Sequence, residues 1–554
     1  MKKVYSIFAS ALVLLGSLQS CNKTYIKEIV PKEENTQQQE TVLEDDDFSK
    51  LLQTIPGVSG VTVMAAPVTS PSEETKAADA SASAYLKQYF FYFAQPVDHF
   101  NPAAGSFNQR VAIQLNGDLK NPVILHTQGY QMLMDGTFAW REDLRTILDA
   151  NWIEVEFRYF GESQPEPMEN LSFTYLYSAQ AAADLHAVAS TLKKYVFKDS
   201  QWIATGASKG GITSGLQAYY SDLNGWKDFD LYVPFCAPFL PGSKTSPLDP
   251  AMGKYILTQC GAGYKKGTPE AEAYENLQKI LKYSVTNKEL RDALLCQFHQ
   301  QSSASYQTIK AQLNGATEDR MLAGFLDQYM ETLIGRFSYT PFADWAPLVP
   351  DPDAPDETGG NPLLMTSIDQ VVNFVFMDEK RFEEQVKLIN QKNDEDTKAI
   401  HTEADMLVLR YNPEAALPYD VQSVRELGCV GMDYSWLPEN DFLTAEVGYQ
   451  VEEAATGRYR GMDYFEGQWD GGELMTSFLS WVATETTQKI IFVYGSNDPW
   501  TGGAIPDAAA EGNPNVVKVN SFGGIHDTAF LNRKVYTQEA SDQIEAAVKK
   551  FLNK

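Results

Sequence analysis

The sequence predicts an α/β fold: a largely parallel sheet, interrupted by a long helical insertion and completed by strands near the C-terminus. Three observations predict it. Trp202-Ile203-Ala204-Thr205-Gly206-Ala207-Ser208-Lys209-Gly210-Gly211 runs apolar, turns on small residues and continues into Ile212–Tyr220, the pattern of a buried strand, a sharp turn and a helix. Short apolar runs separated by helix-length stretches recur on both sides of it, and such strands need crossovers and so pair in parallel. Strand-like alternation almost vanishes from residue 246 to 486, then returns at Lys489-Ile490-Ile491-Phe492-Val493-Tyr494.

Taken in order, the chain opens with a targeting pattern. Lys2-Lys3 precedes an apolar stretch, Val4–Gly16, too short to span a bilayer, and this ends in Leu18-Gln19-Ser20-Cys21. That resembles a bacterial lipoprotein signal, with Cys21 the lipidated first residue and the exported protein held at the outer membrane. Residues 22–84 are rich in Gln, acidic residues, Pro, Ser and Ala and are expected to be a tether, with Leu51–Met64 as an apolar exception. Strands are predicted at Tyr89–Phe93, Phe107–Leu115, Pro122–Thr127 and Trp152–Phe160, then a helix at Ala179–Tyr195 and a buried run at Leu231–Pro238. This makes residues 85–245 the first part of the core. In the insertion, 246–486, helices are expected over Ala271–Leu281, Asn287–Phe298, Tyr306–Leu313, Asp319–Leu333 and Thr366–Asn390. Residues 487–554 complete the core, with a last helix at Ser541–Leu552.

The 554 residues are 44% hydrophobic and 12% aromatic, enough for a sizeable core. A formal charge of −28 argues against nucleic acid as a partner. Cys236, Cys260, Cys296 and Cys429 allow three disulfide pairings, among which the spacing does not choose. No Cys/His spacing suits a metal, and no metal or organic cofactor is implied.

Gly206-x-Ser208-x-Gly210 between strand and helix is the nucleophile-elbow pattern of α/β-hydrolases, and the order Ser208, Asp498, His526 is that fold's order of nucleophile, acid and base. Each residue lies just past a predicted strand, where open α/β sheets place their sites. A serine hydroxyl needs a base, His526, and the base needs a carboxylate to orient it. Asp498 is favoured, with Asp527 the alternative beside His526. Oxyanion donors are expected from the Lys209 N–H and from the turn after Thr127, at Gly129 or Tyr130. The expected fold is therefore an α/β-hydrolase with a large, mainly helical cap inserted before the last strands.

Gln95-Pro96-Val97-Asp98-His99, Phe107-x-Gln109-Arg110, Phe157-Arg158-Tyr159-Phe160-Gly161-Glu162-Ser163, Gly206-Ala207-Ser208-Lys209-Gly210-Gly211 and Asn497-Asp498-Pro499-Trp500 resemble the exported serine peptidases of clan SC. The Ser-Lys-Gly-Gly continuation is similar to the S37 family, the tripeptidyl aminopeptidases, and the early motifs are shared with the related S28 family. The resemblance implies a serine exopeptidase that takes peptide substrates and releases tri- or dipeptides from free N-termini, often after proline. Holding an N-terminal ammonium takes a carboxylate, for which Glu162, Asp470 and Glu473 are candidates. Trp469 and Trp500 are candidates to wall a proline pocket. A carboxypeptidase would instead need an exposed cation such as Arg158, Arg458 or Arg460. An ester hydrolase on the same triad and an inactive peptide-binding lipoprotein are the remaining readings.

Overall fold

The computed structural model describes residues 41–42, 44–67, 85–132, 142–167, 171–300, 318–356, 365–393, 417–431 and 468–553, with a few positions between 433 and 447. Its centre is a ten-stranded sheet. Six strands run parallel: β5 (Val123–Thr127), β6 (Asn151–Val155), β7 (Trp202–Ala207), β8 (Leu231–Phe235), β11 (Ile490–Gly495) and β12 (Val516–Ser521), in the order β6-β5-β7-β8-β11-β12. Four antiparallel strands extend the β6 edge: β4 (Ser106–Gln114), β3 (Tyr85–Pro96), β2 (Val58–Pro67) and the two-residue β1 (Thr41–Val42).

Period-two alternation sends successive side chains to opposite faces. Val123, Leu125, Ile490 and Phe492 enter one apolar layer, beneath α3 (Ser178–Tyr195) and α4 (Lys209–Asn224). Ile124, Ile491 and Val493 enter the other, beneath α2 (Asp143–Leu148) and the last helix, α12 (Gln538–Leu552). A largely parallel sheet covered by helices on both faces, with the strand–serine–helix turn at its middle, is an α/β-hydrolase fold.

The predicted strand Trp152–Phe160 ends early, at Val155. The chain then turns through Tyr159 (φ +68°) and Gly161 (φ +50°), with Gly161 packed on the buried Glu156 carboxylate.

Within the expected tether, the apolar exception Leu51–Met64 is ordered as a helix end and a strand, and the order extends beyond it over residues 44–67. Leu52 and Ile55 are buried in the sheet core, and Val58–Pro67 pairs along the aromatic β3. The short helix α1 (Asp47–Gln53) is locked by a capping box between Asp46 and Ser49, and Asp46 also accepts from Lys87 (2.7 Å) and Tyr89 (2.9 Å) on β3. The cause is an edge: an apolar strand such as Tyr89–Phe93 exposes unpaired backbone until another strand covers it.

The insertion is mainly helical, as expected. It carries α5 (Pro250–Thr258), α6 (Pro269–Thr286), α7 (Lys288–Gln300), α8 (Glu318–Tyr339), α9 (Ser367–Val375) and α10 (Glu379–Asn393) around their own core, which includes Leu277, Ile280, Phe325, Phe337 and Trp345. The helix expected over Thr366–Asn390 is two, broken at Phe376–Asp378. The one expected over Tyr306–Leu313 lies outside the described residues. A parallel bridge of β9 (Leu248–Asp249) and β10 (Cys429–Val430) links two distant parts of the insertion. Its final helix, α11 (Glu473–Thr484), packs on the core instead, with the Phe478 ring stacked 4.4 Å from that of Phe239. The cap thus hands back to the core near residue 470, earlier than the expected 486. Cys236, Cys260, Cys296 and Cys429 are free thiols.

Candidate active site

The elbow is built by close approach. Ser208 follows β7 with φ +55° and ψ −122°, a left-handed setting that costs a non-glycine residue about 1–3 kcal/mol and is held by its surroundings. Its N–H donates to the Phe235 carbonyl on β8 (3.0 Å). A Cβ at Gly206 would lie 2.6 Å from Gly210 backbone, and one at Gly211 2.4 Å from the Phe235 oxygen. Only glycine lets strand and helix pass here.

Ser208 and Asp498 follow β7 and β11, with β8 alone between them. Two strand spacings are about 10 Å, a gap that one imidazole spans. His526, in the loop after β12, supplies it: its Nδ1 lies 3.0 Å from both oxygens of Asp498, whose side chain is wholly buried. With Nδ1 committed, Nε2 is the nitrogen available to a serine hydroxyl. The alternative acid is turned elsewhere, since Asp527 accepts from the Ala529 N–H (2.8 Å). Burial pushes the Asp527 carboxyl up to about 6.

The cap fixes this triad. The His526 N–H donates to the Ser338 carbonyl at the end of α8 (3.1 Å), and the Tyr339 and Trp500 rings lie 6.5 and 6.0 Å from the imidazole. Asn497, beside the acid, accepts from the Gly261 N–H (2.9 Å) and donates to the Tyr264 hydroxyl (3.1 Å). Tyr255 donates to the Ser496 carbonyl (2.9 Å). Beneath the triad lies Cys236, at φ +52°, with its sulfur and the ligand atoms of Asp498 and His526 within 4.8 Å of one another. Sequence reasoning missed Cys236, Ser338, Tyr339, Tyr255 and Tyr264. Only Cys236, at a strand end, carried any signal.

The oxyanion loop rests on the elbow. A Cβ at Gly129 would lie 2.7 Å from the Gly210 nitrogen, and Thr127 Oγ1 is 2.7 Å from the Gly210 carbonyl. Gly129, Tyr130 and the Lys209 N–H are therefore gathered at one place.

The expected substrate carboxylates are not gathered there. Glu162 is bound to Tyr92 on β3 and lies 3.6 Å from Arg110 on β4. Those strands stand three to four spacings, about 14–19 Å, from β7. Asp470 accepts from the Gly472 and Leu474 N–H groups (2.7 and 2.9 Å) and so starts α11, while Glu473 is exposed in that helix's first turn. Trp469 donates to the Ser243 carbonyl (2.6 Å) and packs on Gly242. Of that set, Trp500 alone touches the triad. Arg158 offers a substrate carboxylate nothing: it is buried and bidentate on Asp184 (2.7 and 2.8 Å). Arg458, Arg460 and Cys21 lie outside the described residues.

The early motifs prove architectural. Asp184 also holds His99 (2.7 Å), Gln95 bridges Gln109 and the Asp184 carbonyl, and Arg158 reaches the Val97 and Tyr175 carbonyls. They tie β3, β4 and α3 into one buried network.

Residues 77–250 match the family model of PS-10 peptidase S37. Over 135 residues, 24% of the chain, the sequence is 37% identical to the prolyl tri/tetrapeptidyl aminopeptidase of Streptomyces mobaraensis. The match spans about a quarter (26%) of that relative's length. Solved structures it resembles include a 2-hydroxy-6-oxo-6-phenylhexa-2,4-dienoate hydrolase from Rhodococcus sp. strain RHA1 (10% identity, TM-score 0.32, covering 84% of this chain and 99% of that one). Epoxide hydrolase A from Mycobacterium thermoresistibile is another (13%, TM-score 0.29, 80% and 95%).

Proposed function

We propose that this chain is a lipid-anchored, exported serine exopeptidase that releases tri- or dipeptides from free N-termini, with a preference for proline at the cleaved bond. The observation that carries the reading is the Asp498–His526 pair, set one strand away from a serine on a strained strand–helix turn. Ser208 attacks the scissile carbonyl while His526 takes its proton. The oxyanion is met by the Lys209 N–H and one from Gly129 or Tyr130. His526 then protonates the leaving amine, and water releases the acyl group by the same steps. The S37 segment and the aminopeptidase named above support peptides as substrates. Trp500 beside His526 suits a proline ring. The proposed anchor is Cys21, behind Lys2-Lys3 and Val4–Gly16; among the described residues no helix is long and apolar enough to cross a membrane.

The test compares the full chain with Ser208→Ala on Ala-Ala-Pro-aminocoumarin, free and N-acetylated, and on p-nitrophenyl butyrate. Cleavage of the free peptide alone, lost in the variant, is the expected result. Equal cleavage of the acetylated peptide would refute the N-terminal requirement. Ester turnover without peptide turnover would make the enzyme an esterase.

A further inference from the structure

The residue after the serine does more than lend its N–H. The Lys209 side chain is 2% exposed and turns back under the oxyanion loop, where Nζ donates to the Gly129 carbonyl at 2.6 Å. Its other neighbours are rings: Phe157 at 3.4 Å from Nζ to centroid, Phe160 at 5.4 Å and Tyr130 at 5.5 Å. Burial pushes the ammonium well below the usual lysine range, and the buried Glu426 carboxylate of the insertion pulls it partly back. Burying an amine costs free energy that a Met or Leu at this position would not incur. The aromatic box and the single carbonyl offset only part of that cost.

We propose that the Lys209 side chain is a positioning residue for oxyanion stabilisation, holding the Gly129–Tyr130 peptide so that its N–H faces the carbonyl under attack. The inference rests on Ser208 being the nucleophile. A trans peptide is planar, with C=O and N–H pointing in opposite directions. Fixing the Gly129 oxygen on Nζ therefore fixes the direction of the Tyr130 N–H. The Phe157 N–H, which donates to the Tyr130 carbonyl at 3.0 Å, pins the next peptide. Both oxyanion donors then hang on Lys209: one is its own backbone N–H, and the other belongs to a peptide that its side chain orients. The spacing between them is set within one residue. Nζ is committed to a carbonyl and walled by three rings, which suits it to orienting a peptide rather than carrying a proton.

The test uses the full chain and a fluorophosphonate, whose phosphorus the serine oxygen attacks with loss of fluoride, a step that needs nucleophile and oxyanion hole but no peptide recognition. Lys209→Met keeps the length and apolar fit and removes the donor. It is expected to slow phosphonylation about 10–100-fold, below the loss for a direct oxyanion donor. In peptide turnover the loss should fall on kcat, with KM little changed. The unfolding temperature should hold or rise, because a buried amine has gone. Lys209→Arg, which keeps a donor, should react faster than Lys209→Met. Phosphonylation of Lys209→Met at the wild-type rate would overturn the proposal. So would a rate loss accompanied by a matching drop in unfolding temperature, the mark of packing alone. If Lys209→Met does not fold, Lys209→Leu, which also lacks a donor, decides: a slowed rate supports the proposal and a wild-type rate overturns it. An unreactive wild type would overturn the nucleophile reading, and this inference with it.

Discussion

Two buried arginines separate the core from the cap. Arg158, in the core, is 0% exposed, and Nε, Nη1 and Nη2 all bond to Asp184 or to the Val97 and Tyr175 carbonyls. Arg336, in cap helix α8, is 1% exposed, yet its Nη2 alone donates, to the Phe374 and Met377 carbonyls. Its guanidinium lies between the Phe374 and Phe382 rings, at 4.6 and 4.7 Å, and burial pushes it down to about 10. The core holds its charge in a full set of bonds that tie β3 and α3 together. The cap shelters its charge among rings and touches the site at a few points. The sheet places Ser208, Asp498 and His526 at neighbouring strand ends, and the cap contacts that group through His526, Asn497 and Ser496.

That contrast is sharpest in activity. Asp498→Asn should lower kcat by about 10⁴-fold, by leaving His526 in the wrong tautomer. Tyr339→Ala, on the cap side of the same imidazole, should change kcat less than tenfold and act mainly on KM. Comparable kcat losses from both would erase the distinction.

In stability, Arg158→Met should cost about 3–5 kcal/mol, because it strands the Asp184 carboxylate in the core. Arg336→Met should cost less than Arg158→Met, since only Nη2 donates, the thioether suits an aromatic cage, and Glu379, the carboxylate that faces Arg336, is part-exposed. Urea unfolding of both variants tests this, and a larger loss for Arg336→Met would reverse the comparison.

The seam between the two regions should respond less. Asn497→Ala removes the bonds to Gly261 and Tyr264 and should cost about 1–2 kcal/mol. A fall in kcat should accompany it as the acid's turn loosens; full activity with lowered stability would show that the cap does not steady the acid.

The smallest effect concerns Asp143 and Asp527, each raised to about 6 by burial, with Asp143 adding to the shift on Asp527. An unfolded aspartate titrates near 4. Between about pH 4 and 6 the folded state therefore binds more protons, and stability falls as pH rises through that window and stays lowered above it. Asp143→Asn keeps an acceptor for the Leu531 N–H and removes the charge. It should raise stability by about 1–2 kcal/mol at pH 8 and by almost nothing at pH 3. An equal change at both pH values would refute the assignment.

Legibility in the sequence followed the range of the forces involved. The elbow could be read because a strand, a tight turn and a helix are local, and close backbone approach leaves glycine as the residue that fits at Gly206 and Gly211. Asp498 and His526 could be read because they follow short apolar strands. The contacts of Glu162 and Asp470 could not be read, because a carboxylate near a strand end or a tryptophan looks the same in sequence whatever it meets. Leu51–Met64 stood out from the tether as apolar, but its low-complexity flanks hid that its strand pairs with β3, which begins some twenty residues on.

Read alone, the chain settles its α/β class and the helical insertion between strands, which follow from periodicity and backbone sterics, and it nominates Ser208, Asp498 and His526 by their places after strands. Which side chains meet the triad was decided only in three dimensions. Ser338, Tyr339, Tyr264 and Cys236 reach it through cap packing and strand neighbours far apart in sequence. The roles of Lys209, Arg158 and Asp184 were decided there too, because the free energy of a buried charge depends on which groups surround it, and no local pattern records them.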